Sequence, residues 1–323
     1  MARFLPSRAA LSKRVAAVAI LLALFPLLGA LGRLHWILDL FSHFRLQYAA
    51  GLALCAIALA ALRRPRSAML GGLGALVLAA TFAAWFLPSP ARQTPGAIKV
   101  IAFNVNTAND RHDAVADFLL AESADIVLLQ EISQEWTRSL ARLRGAYPHR
   151  IEIPRGDNFG IGVYSKLPLL EAERQAFSEF EVPWLSWTVE RDGIRYRFAG
   201  VHTVPPISAK DSALRNAHLG AVRDWVLQQP DIPTVVLGDL NVTIFSPWLA
   251  GFLRDARLHD TAKGFGLRPT WMVAFPPAAI AIDQILATRH LAATARRIGP
   301  PLGSDHRALI VQLAPAPASS SAN

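Results

Sequence analysis

Apolar residues fall into two regimes along the chain. Up to residue 87 they run nearly unbroken: residues 15–31, 46–62 and 68–87 contain no Asp, Glu, Lys or Arg. Each run is near the roughly 20 apolar residues, range about 17–25, that a bilayer-crossing helix needs. The pattern therefore predicts three transmembrane helices within residues 1–87, the second at the short end of that range. Basic residues precede the first run, as in a cleaved signal peptide. Two further runs follow at once, so a retained anchor is the expectation. Residues 88–96, with Pro88, Pro90, Pro95 and Gly96, read as a linker.

Beyond the linker the runs are short and end in polar residues. Residues 97–104, 124–131, 159–166, 196–203, 235–241, 280–287 and 307–313 read as strands. Residues 109–123 predict a helix that Asn109 or Asp110 can cap, with Ala114, Val115, Phe118 and Leu119 on one face. Residues 211–228 predict a second helix with Leu214, Ala217, Ala221, Val222 and Trp225 along one side. Residues 246–256 predict a third, opened by a Ser246 cap and Pro247 at its first position. Only some strands are separated by helices, which favours packed sheets with helices outside over one parallel sheet. Residues 315–323 read as a disordered tail. The aromatic-rich stretch 177–187 fits either a hairpin covering the core or a membrane-facing rim.

The net charge of +9 resembles a nucleic-acid signal until it is located. Residues 1–95 hold ten basic residues and one acid, Asp39, whereas the remaining residues carry 23 of each sign. The excess thus belongs to the membrane region, and the second half lacks the net basic charge common in sequence-independent DNA binders. Basic residues cluster before the first run and between the second and third. By the positive-inside rule those clusters are cytoplasmic, which places everything after Pro88 outside the cytoplasm of an inner (plasma) membrane, multi-pass protein. The single cysteine, Cys55, lies within the second run, so no disulfide can form within the chain.

Six strand ends carry polar groups: Asn104 with Asn106, Glu131, His202, Asp239 with Asn241, Asp283, and Asp305 with His306. Each alone has a structural explanation, since Asn104 and Asp305 suit turns and Asp283 could be a satisfied core carboxylate. Together they are a set of hard oxygen donors and imidazoles, suited to Mg²⁺ or Mn²⁺ rather than structural zinc. Such a set fits phosphodiester hydrolysis, which needs a cation, a base for water and donors for a charged transition state.

The segments FNVN (103–106), LLQE (128–131), GDLN (238–241), AID (281–283) and GSDH (303–306) resemble, in order and approximate spacing, the endonuclease/exonuclease/phosphatase superfamily. That group includes deoxyribonucleases, apurinic endonucleases, inositol polyphosphate 5-phosphatases and neutral sphingomyelinases. The resemblance covers about residues 97–314 and extends to NFGIGVYSKLPL (158–169) and RPTW (268–271). It implies an α/β fold: a four-layered sandwich of two mixed β-sheets flanked by helices, here preceded by three transmembrane helices. It also implies Glu131 and Asn104 as metal ligands with Asp305 near the metal, and Asp239 as the group that positions or activates water. Asn241 would hold phosphoryl oxygens, His306 would stabilise the transition state and be oriented by Asp283, and His202 would support the leaving group or the phosphate. Leu240 replaces a common Phe, Gln284 follows Asp283 where larger groups are frequent, and Pro205 and Pro206 stiffen the loop after His202. The resulting expectation is a membrane-anchored phosphodiester hydrolase dependent on Mg²⁺ or Mn²⁺ and acting on nucleic acid or a phospholipid headgroup. The alternative is a catalytically inert module that binds a phosphorylated ligand on the same fold.

Overall fold

The structure, a computed structural model, describes residues 7–88, 96–178 and 181–316. Most of the linker and tail predicted from sequence lie outside the described residues, although the last strand reaches Pro315. The N-terminal region contains α1 (Arg8–Ala30), the short α2 (Trp36–Leu40), α3 (Arg45–Ala61) and α4 (Pro65–Ala80). A small core of Ala19, Tyr48, Leu52, Ala75 and Leu78 joins α1, α3 and α4.

Among the described residues, two helical stretches, not three, are long and apolar enough to cross a membrane: Arg8–Ala30, and Trp36–Ala61 running continuously through α2, a 3-10 turn and α3. The third predicted span is corrected to a shorter helix. Its helix ends at Ala80 after 16 residues, about 24 Å at 1.5 Å per residue, short of a hydrocarbon core of about 30 Å. The apolar residues that follow serve another contact. Trp85 donates its indole N–H to Asp260 at 2.6 Å, and its carbonyl accepts from the amides of Gly264 and Gly266.

The rest of the described chain forms two six-stranded sheets. The first contains β1 (Ile98–Asn104), β2 (Ile126–Gln130), β3 (His149–Ile153), β4 (Ile161–Ser165), β11 (Leu291–Ile298) and β12 (Leu309–Pro315), in the order β11-β12-β1-β2-β4-β3. The second contains β5 (Leu170–Phe177), β6 (Val182–Arg191), β7 (Ile194–Gly200), β8 (Thr234–Asp239), β9 (Leu258–Asp260) and β10 (Asp283–Thr288), in the order β5-β6-β7-β8-β10-β9. Each sheet has one parallel pair, β1–β2 and β7–β8, among antiparallel neighbours. Val100, Leu128, Trp187, Phe198, Val235 and Ile285 pack between the sheets. Against the outer face of the first lie α5 (His112–Glu122) and α6 (Gln134–Ser139); against the second lie α7 (Ala209–Leu227) and α8 (Pro247–Asp255). The result is the four-layered sandwich implied by the sequence.

Local readings hold in part. Ser246 caps α8 by accepting from the Trp248 amide, and Pro247 occupies its first turn. Asn109 does not cap α5. Its amide group donates to the carbonyls of Val105 and Leu302, so it ties the loop after β1 to the one before His306. Ala114 is exposed, and the buried face of α5 is Val115, Ala116 and Leu119. Trp184 and Trp187 are 3% and 1% exposed and pack in the core, so neither forms the membrane-facing rim considered from the sequence.

Candidate active site

The parallel pairs deliver polar residues to one edge of the sandwich. β1 and β2 run side by side and end together at Asn104 and Gln130. β7 and β8 do the same in the other sheet, and β10 starts there, with Asp283 directly opposite Asp239. Gly238 makes the close approach possible. Its φ is +133°, and a Cβ at this position would sit 2.0 Å from the Val201 carbonyl oxygen and 2.5 Å from the Gln130 amide nitrogen of the facing sheet. Only glycine fits a backbone pressed between two sheets in that conformation.

The side chains then form one connected set. The Asn104 amide donates to Glu131 Oε1 at 2.8 Å and to Asp239 Oδ2 at 3.2 Å, joining the two sheets. His202 Nε2 and His306 Nε2 lie 3.6 and 3.7 Å from Asp239 Oδ2. His306 Nδ1 is hydrogen-bonded to Asp283 Oδ2 at 2.9 Å. The Asn241 backbone amide donates to Asp239 Oδ1, and its side-chain amide donates to the Thr203 carbonyl at 2.8 Å, leaving the second amide hydrogen free for an incoming oxygen. Asp305 is the outlying member. It is exposed, and its oxygens accept from Asn106 and from the Trp271 indole.

Several supporting residues were not assigned from sequence. Asn106 links Asp305 to the site, since its own backbone amide donates to Asn104 Oδ1. Thr107 donates to Glu131 twice, by its amide to the carboxylate and by its hydroxyl to the carbonyl. Ser304 donates to the Asn104 carbonyl and accepts from the His306 amide. Asn106, Trp271 and Ser304 belong to the FNVN, RPTW and GSDH segments, so the signal was present; Thr107 carried none. Asn106, Glu131 and Asn241 have φ values of 62°, 63° and 48°. Left-handed backbone is costly for a residue such as Glu, and strain of this kind persists only where the surroundings enforce it.

Electrostatics separates the carboxylates into two groups. Burial, first of all, and the neighbouring Asp283 push Asp239 above the usual carboxylate range, against the pull of His306 and His202. Burial alone would depress His306, but Asp283 and Asp239 override it and raise it to about 10. The ring is therefore an imidazolium at neutral pH, clamped between two carboxylates. Asp239, Asp283 and His306 offer ligand atoms within 4.8 Å of one another. An imidazolium has no free lone pair, however, so this trio is better suited to proton and charge handling than to gripping a cation. The oxygens of Glu131, Asn104 and Asp305 are the donor type that Mg²⁺ or Mn²⁺ prefers.

Solved structures share this architecture. An endonuclease/exonuclease/phosphatase from Beutenbergia cavernae is 21% identical with a TM-score of 0.57, the match covering 68% of this chain and 72% of that one. D. rerio TDP2 complexed with single strand DNA product is 17% identical with a TM-score of 0.57, covering 68% and 99%. A beta toxin from Staphylococcus aureus is 16% identical with a TM-score of 0.52, covering 66% and 99%. At these identities the likeness is one of fold. No curated protein matches the sequence. The family model described as Endonuclease/Exonuclease/phosphatase family matches residues 101–306, more than half of the chain, and the chain belongs to that family.

Proposed function

We propose that the protein is a divalent-metal-dependent phosphodiester hydrolase, anchored in the inner (plasma) membrane with its catalytic domain outside the cytoplasm. The observation that carries this reading is the single hydrogen-bonded set in which Asn104 joins Glu131 to Asp239 and His306 is held between Asp239 and Asp283. Family membership and the likeness in fold to TDP2 complexed with single strand DNA product support it.

Glu131 and Asn104, with Asp305 nearby, would hold Mg²⁺ or Mn²⁺. When bound, the cation would neutralise a phosphoryl oxygen and the leaving group. Asp239, whose raised pKa makes it a stronger base than an ordinary carboxylate, orients a water and takes its proton. Asn241 presents its free amide hydrogen to a phosphoryl oxygen. His306, cationic and oriented by Asp283, stabilises the charge that builds on the phosphoryl group. His202 supports the same oxygens from the second sheet.

Anchoring rests on the surface of the N-terminal helices. Leu27, Leu54, Ile57, Met69, Leu70 and Leu76 are each more than 60% exposed, a density of apolar surface that suits lipid rather than water. Sidedness rests on where the catalytic domain docks. Arg33 donates to the Pro247 carbonyl and Gln47 to that of Ala279, so the domain sits on the connector between the two long helical stretches and on the first turn of α3. Arg8, Lys13, Arg14, Arg63, Arg64 and Arg66 lie at the opposite helix ends, the side that positive charge assigns to the cytoplasm, and α4, shorter than the two long stretches, would carry the chain back from Arg64 to Trp85, which is bonded to the domain.

The test is hydrolysis of bis(4-nitrophenyl) phosphate by full-length protein in detergent, with Mg²⁺, Mn²⁺ or chelator. Glu131→Gln and His306→Ala are each expected to lower kcat/KM at least 100-fold. Undiminished turnover in both would refute the mechanism. Tight phosphate binding without turnover in the wild type would favour the inert binding module.

A further inference from the structure

The start of the second long apolar stretch does more than tether the domain. Asp39 of α2, the one acid in the first 95 residues, accepts from Arg215 Nη2 of α7 at 2.7 Å, and both side chains are no more than 2% exposed. The same carboxylate accepts from Ser246 at 2.6 Å. Arg215 Nη1 in turn donates to the main-chain carbonyl of Asn241 at 3.3 Å. Two residues on, Thr243 hydrogen-bonds His43 at 3.0 Å. The loop from Asn241 to Ser246 is thus held at its start, middle and end by groups that depend on residues 39–43.

A buried ion pair of this kind is weak evidence for stability, because desolvating both charges offsets much of their attraction. Its better-attested use is to fix one arrangement among several. Here the arrangement fixed is that of Asn241, whose φ of 48° is not its relaxed conformation and whose side chain must point at the reacting phosphate. We propose that Asp39 is a positioning residue for catalysis: through Arg215 and Ser246 it holds the Asn241 loop in its working geometry, so the membrane segment is a structural part of the active site. This inference rests on the hydrolase reading above for its consequence in rate, though not for the coupling itself.

The experiment uses full-length protein in detergent micelles, with bis(4-nitrophenyl) phosphate and Mg²⁺ for turnover and hydrogen–deuterium exchange as a readout independent of activity. Asp39→Asn leaves Arg215 without its charged partner. The double variant Asp39→Leu/Arg215→Met replaces both charges with apolar groups and guards against simple misfolding. For both, kcat is expected to fall at least tenfold with KM within about twofold, as for a misplaced transition-state contact. Exchange is expected to rise across residues 240–247 while β1 and α5 stay protected. Arg33→Ala, which removes an anchor contact to α8 remote from Asn241, is expected to keep wild-type kcat. Wild-type kcat and wild-type protection of residues 240–247 in the double variant would overturn the proposal, as would a uniform rise in exchange throughout the domain. If the wild type cleaves no phosphodiester, the hydrolase reading fails, while the exchange comparison still decides the coupling.

Discussion

His218 offers a quantitative test of the packing on the outer face of the second sheet. It lies in α7, fully buried, with neither ring nitrogen hydrogen-bonded. Its ring stacks on Phe177 at 4.5 Å and lies 6.4 Å from Trp184. Burial, with a smaller contribution from His202, lowers its pKa from 6.5 to about 3. The sign follows from proton uptake. As pH falls through 6.5 the unfolded chain binds a proton that the folded protein refuses until about pH 3. The stability associated with this site is therefore whole above pH 6.5 and declines as pH drops toward 3. Linkage puts the loss at about 2 kcal/mol by pH 5 and about 5 kcal/mol at its limit. For a domain of this size, 2 kcal/mol corresponds to about 4–8 °C in Tm. Replacing His218 with Leu removes the titration and the unpartnered nitrogens together. Thermal unfolding followed by tryptophan fluorescence at pH 7.5 and pH 5.0 should show the wild type losing those degrees relative to His218→Leu. Parallel losses in the two proteins would refute the argument, because they would mean that the ring protonates as readily folded as unfolded.

Gly238→Ala should destabilise the domain by more than about 3 kcal/mol, since strained backbone and overpacking act together at one position; a Tm within 2 °C of wild type would contradict the close sheet approach. Asp283→Asn keeps the shape beside His306 but removes its charge, and kcat should fall by about 100-fold or more with little change in KM. Chelation should abolish turnover, and Mg²⁺ or Mn²⁺ should restore it where Ca²⁺ does not, because the larger ion takes longer, looser bonds to oxygen. Trp85→Ala should cost about 3 kcal/mol, leaving Asp260 without its indole donor and removing the ring that packs edge-on to Phe245; equal Tm values would show that this docking point is incidental.

What the sequence revealed follows from how locally each feature is encoded. Strands such as β1, β2 and β8 are short apolar runs closed by polar groups, so their ends, and hence Asn104, Glu131 and Asp239, could be placed. Edge strands could not. β5 reads LEAERQAF and is mostly exposed, and β11 reads LAATARRI, so neither carries a two-residue alternation strong enough to mark it. The third span was misjudged because Ala83–Leu87 looks suited to a bilayer, whereas the Trp85 N–H is satisfied by Asp260 instead. Asp39 counted only as a loop charge, since nothing local identifies a partner 176 residues away.

That separation has a consequence for biogenesis. The ribosome delivers residues 8–61 long before Asn241, so the platform under the 241–246 loop is already made while the sandwich is still being synthesised. On the anchored reading proposed above, the sandwich is then completed against a template laid down first. A version secreted without that template would have to build its working cleft from soluble parts alone.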